Sequence, residues 1–134
     1  MKQRRRLATL ITLISACVTL AAYGEDCGTS FQSRVQPIFD TRCVACHMSG
    51  SAAGNLNLED GESLQAMLGV KSAISSHLRI DPQSPESSVL LLRLTGTSEG
   101  QRMPMDRPPL SDAKIGVIRD WLMRCASLIK KDSG

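Results

Sequence analysis

The residues best placed to do chemistry are Cys43, Cys46 and His47, in the run Cys43-Val44-Ala45-Cys46-His47. Two thiols three positions apart share one face of a helical turn, and an imidazole follows directly. That arrangement attaches c-type haem: each thiol bonds a vinyl group and the histidine lies under the iron as an axial ligand. Two rivals need other surroundings. A dithiol redox pair sits in a strand-helix-strand setting, and a zinc site needs a second well-spaced ligand pair. The flanks here read as loops and helices. One haem c per chain is therefore the expected cofactor.

A second axial ligand has to come from elsewhere. Met103 stands in the stretch Gly100 to Pro109, whose three prolines forbid regular helix, just ahead of a final helical segment. A thioether there could fold back over the ring, favour ferrous iron and raise the potential. By position alone, ligation and simple core filling by Met103 and Met105 stand level. Met48, Met67 and Met123 read as packing. His77 is the only other histidine. It lies between Ser76 and Leu78 in a polar stretch and reads as a surface residue, though as a ligand it would make a bis-histidine iron of lower potential.

The elements that must position these residues are helical. Ser30 to Asp40 places Phe31, Val35, Ile38 and Phe39 at helical spacing, with Pro37 either near the helix start or at a bend. Glu62 to Leu68 reads as a short helix ended by Gly69, and Ser84-Pro85-Glu86 as the start of another closed by Gly96. Ser111 caps a last helix to about Lys130, with Ile115, Ile118, Trp121, Leu122, Cys125 and Ile129 on one face. No strand pattern or repeat appears. Aromatic residues make up only 3% of the chain, so a large apolar ring is a fitting centre for its core.

The N-terminus reads as an export signal over residues 1–24, leaving one haem domain over 25–134. Lys2, Arg4, Arg5 and Arg6 precede an apolar stretch to Ala22, with cleavage expected after Gly24. Ile14-Ser15-Ala16-Cys17 resembles a lipobox and offers a rival cut that would leave Cys17 as a lipid anchor; an uncleaved N-terminal anchor is the other alternative. Without the signal's four basic residues, 12 basic face 13 acidic side chains, a net charge of −1. No basic run remains to bind nucleic acid. In the oxidising compartment beyond the inner membrane, the two cysteines left over, Cys27 and Cys125, suggest a disulfide between the N-terminal segment and the last helix. The alternative leaves Cys125 as a small buried apolar residue and Cys27 as a free thiol.

Taken together, Phe39 to His47, Asn55 to Glu59, Asp81 to Leu92, and Arg102-Met103-Pro104 ahead of Pro109-Leu110-Ser111 and the Trp121 helix resemble small bacterial cytochrome c domains. The likeness is nearest to the planctomycete-type group and its proteobacterial relatives. It implies an all-α cytochrome c fold of about four short helices, first and last packed together beside the haem. It also carries the distal ligand onto Met103 and gives Met105 no counterpart. Cys125 and Ala126 stand near where that group closes its last helix with Gly-Ala, a departure that bears on the helix end and not on the haem site. The implied activity is single-electron transfer between redox partner proteins in the periplasm, a membrane-bound oxidoreductase among the candidates, with no catalysis. The alternative is a haem enzyme or gas sensor with an open distal site, for which Arg102 and His77 are the polar candidates.

Overall fold

The computed structural model describes residues 26–51, 53–97 and 100–132. The segment read as an export signal, with the Cys17 lipobox, lies outside the described residues. Among the described residues the chain is all-α, with no strand and only isolated bridges at Leu68–Ile80 and Lys71–Leu78. None of the helices there is long and apolar enough to cross a membrane.

The first helical region is one continuous run of three parts: α1 (Cys27–Ser30), a π-helical turn (Phe31–Val35) and α2 (Gln36–Arg42). Asp26 caps it, its carboxylate accepting from the Thr29 amide at 3.1 Å. That bond holds the Asp26 carboxyl below its ordinary range. The wide turn has a local cause. Pro37 lacks an amide, and its ring would collide with the carbonyl four residues back in a regular helix. The register opens just before it, with the Gln36 amide bonding Phe31 O. The helix thus does not begin near Ser33; it runs through the proline, with its register widened just before it.

α3 (Ser63–Met67) is one residue shorter at each end than its sequence pattern suggests. The next helix departs further. Ser84-Pro85-Glu86 opens only a 3-10 turn (Pro85–Ser87), and α4 (Val89–Thr95) begins after an extended Ser88. Ser88 is fully buried and its hydroxyl accepts from the Asp81 amide at 3.0 Å. That bond, across seven positions, fixes the extended residue, and the helix starts just past it. Gly96, left-handed at φ 78°, closes α4 as expected.

α5 (Asp112–Asp132) lies against the first region. Ile118, Trp121, Leu122 and Ala126 are fully buried with Phe31, Val35 and Phe39. The Phe31 ring meets Trp121 edge-on at 4.9 Å between centroids, and Trp121 Nε1 donates to Cys27 O at 2.9 Å. Beside that bond Cys27 and Cys125 are joined as a disulfide, with Cα atoms 5.5 Å apart. It closes a loop spanning 98 positions. Haem-loaded mature protein, denatured without reductant, should therefore titrate no thiol; two per chain would show that the bond is absent. Replacing Cys27 and Cys125 by Ala should cost roughly 2–5 kcal/mol, read from the shift in denaturation midpoint.

Candidate functional site

The attachment turn is folded by its own backbone. The amides of Cys43 and Val44 both bond Phe39 O at the end of α2, and the His47 amide bonds Cys43 O and Val44 O at 3.1 Å each. One tight turn thus brings both sulfurs and the imidazole together. The following loop is tied back twice: Leu58 N donates to His47 O at 2.7 Å, and Ser49 N donates to Glu59 Oε2 at 2.9 Å. The second bond holds the Glu59 carboxyl below its ordinary range. Under the loop, buried Gln36 donates to Asp40 Oδ1 at 2.7 Å and Leu58 O at 3.0 Å, and accepts from the Ser63 hydroxyl. α2, the loop and α3 are thereby locked to one another.

His47 is half-buried and its Nδ1 lies 2.9 Å from Ala53 O. A carbonyl can only accept, so Nδ1 carries the proton and Nε2 is left with a lone pair that could ligate a metal. Cys43 is half-buried and Cys46 exposed. Burial pushes the Cys43 thiol up to about 11, against the opposing charge of Arg42. The nucleophilic cysteine of a dithiol redox pair is shifted the other way. Among the described residues no group of three or more His, Cys, Asp or Glu side chains is arranged to hold a metal ion.

Cys43, Cys46 and His47 open onto a cavity of about 560 Å³, within the range of roughly 300–1,000 Å³ typical of cofactor sites. Its apolar wall includes Leu56, Leu58, Met67, Val89, Leu90 and Leu94. Met103 lines the same cavity, half-buried, in a loop pinned at both ends. Met103 N donates to Arg93 O at 2.8 Å, Arg102 Nε to Leu94 O at 3.2 Å, and Arg42 Nη2 to Pro108 O at 2.6 Å. Met105 also reaches the cavity but is 48% exposed. His77 is exposed, bonds within its own turn to Ser75, and is absent from the lining, as is Arg102. Of the methionines read as packing, Met67 is buried and lines the cavity, whereas Met48 and Met123 are exposed.

Four arginines, Arg42, Arg79, Arg93 and Arg107, line the cavity against one acid, Asp106. None of the four carries a motif that marks it in the sequence. Arg42 Nε is buried without a hydrogen-bond partner, a cost that a nearby anion would offset through charge. A flat apolar ring carrying two carboxylates and an iron matches this lining in shape, polarity and donor set.

Residues 43–106 match the family model for planctomycete cytochrome c. The match is consistent with a planctomycete-type cytochrome c domain over these residues. The match begins at the first attachment cysteine and ends within the methionine loop, so it contains Cys43, Cys46, His47 and Met103. No match was found among curated proteins or among solved structures. A domain of this kind suggests a c-type cytochrome and implies haem c as its cofactor.

Proposed function

We propose that the protein is a periplasmic monohaem carrier that passes single electrons between partner proteins, its iron held by His47 and Met103. The observation that carries this reading is the convergence of both residues on one cavity, Met103 on a loop fastened to α4 through Arg93 O. When bound, haem supplies a one-electron iron couple. Cys43 and Cys46 hold it covalently, so it is not lost when the axial bonds loosen. His47 presents Nε2 with its ring fixed by Ala53 O, and the Met103 sulfur is a soft neutral donor that favours the ferrous state. The leucine wall excludes water, which keeps the change of charge at the iron from reorganising solvent. The arginines answer the carboxylates.

An enzyme or gas sensor would need an open distal position with a polar group beside it. Arg102 and His77, the two candidates, are both absent from this cavity's lining. Export is supported by the basic and apolar N-terminal sequence and by the disulfide. A potentiometric titration of the purified protein should follow one reversible step of about 59 mV per tenfold change in the oxidised-to-reduced ratio. Sustained turnover of peroxide or another small substrate at the wild-type iron would favour the enzyme instead.

A further inference from the structure

Arg79 is one of the cavity-lining arginines, yet its donors are spent on backbone. Nη1 donates to Ala66 O at 2.8 Å, and Nη2 to Gly54 O at 3.1 Å and Asn55 O at 2.9 Å. Two of those carbonyls belong to the turn Ala53–Asn55, and the first residue of that turn holds His47 Nδ1. The turn needs holding. Gly54 and Asn55 are both left-handed, at φ 67° and 53°, and Asn55 pays for that as a residue with a side chain. Ala53, Gly54 and Asn55 are themselves exposed, so little packing fixes the turn.

Arg79 itself is anchored from both directions. Its amide donates to Val70 O at 2.7 Å, and its carbonyl accepts from Leu90 N, the second residue of α4, at 3.1 Å. The guanidinium therefore reaches from a fixed backbone to a strained turn. Its planar fork can serve three carbonyls at once.

We propose that Arg79 is a positioning residue for the axial histidine: by clamping the 53–55 turn it sets the Ala53 carbonyl against His47 Nδ1 and so tunes the ligand. The inference rests on the reading of His47 as an axial ligand. A well-aligned Nδ1–H···O bond makes the imidazole a stronger donor, which favours ferric iron and lowers the potential. Loosening the clamp then raises the potential. Deleting a positive charge near the iron does the opposite, so the two effects of an arginine here have different signs.

The test compares holoprotein variants. Arg79→Lys keeps the charge but cannot span three carbonyls. Arg107→Ala removes a charge from the same cavity and none of these three bonds. In the reduced protein, the His47 Nδ1 proton is followed by NMR hydrogen exchange, with the reduction potential measured alongside and helicity checked by circular dichroism. Arg79→Lys should speed exchange by about tenfold or more, the worth of one ordinary hydrogen bond, and shift the potential upward. Arg107→Ala should leave exchange unchanged and shift the potential downward. Wild-type exchange and potential in a folded Arg79→Lys protein would overturn the proposal. A wild-type spectrum with no haem-shifted His47 ring resonances would instead overturn the ligand reading on which it stands.

Discussion

Protein in which both Cys43 and Cys46 are replaced by Ala should retain no haem after extraction with acidified acetone, whereas matured wild type should keep all of it. Thioether bonds survive that treatment and axial bonds do not. The variant should also fold poorly. Unfilled space costs about 24 cal/mol per Å³ in a core that cannot collapse. The cavity of about 560 Å³ is open to solvent on one side, so only its leucine-lined floor bears such a cost, but a domain is held by only roughly 5–15 kcal/mol. Partial collapse of the methionine loop would recover some of it. Circular dichroism should accordingly show reduced helicity and a broad thermal transition. A cooperative, fully helical double variant would mean that the leucine wall closes without the ring.

Replacing Met103 by Ala should open the iron to carbon monoxide and cyanide, abolish any sulfur-to-iron band and lower the reduction potential. Met105→Ala should do none of this. Met105 is 48% exposed, so its loss should also change stability by less than about 0.5 kcal/mol. His77→Ala serves as a second control, because His77 lies outside the cavity lining. Carbon monoxide binding to each reduced variant, followed optically, separates the three. If Met105→Ala alone opened the iron, the ligand would move by two residues and the carrier function would stand.

The Cys43–His47 turn is legible as a motif because it is local: five consecutive residues contain both thiols and the imidazole, and no distant contact is needed to read them. The helices at either end were legible for a similar reason, since Phe31, Val35 and Phe39, and Ile118, Trp121 and Leu122, repeat at helical spacing. The leftover cysteines lie 98 positions apart, and only the packing of α5 on the first helical region brings them to bonding distance. Other features have no local signature. Ser84-Pro85-Glu86 looks like a helix start, but the bond between Asp81 N and the Ser88 hydroxyl, across seven positions, holds Ser88 extended ahead of α4. Arg42, Arg79 and the Gln36–Ser63 pair read as ordinary polar residues of helix or loop. Their partners lie 13 to 66 positions away, at Ala66, Gly54, Asn55, Leu58 and Pro108. Met103 stood level with Met105 until the resemblance was considered. The structure separates them by burial and by the Met103 amide bond to Arg93 O.

The central claim, an iron closed on both sides by His47 and Met103, is tested most directly by the optical spectrum of purified wild type, ferric and then ferrous with carbon monoxide added. A closed carrier should show a weak sulfur-to-iron band at the red end of the ferric spectrum, and its ferrous spectrum should not change on mixing with carbon monoxide. Rapid carbon monoxide binding by the wild-type ferrous protein, with no red band in the ferric form, would contradict the account.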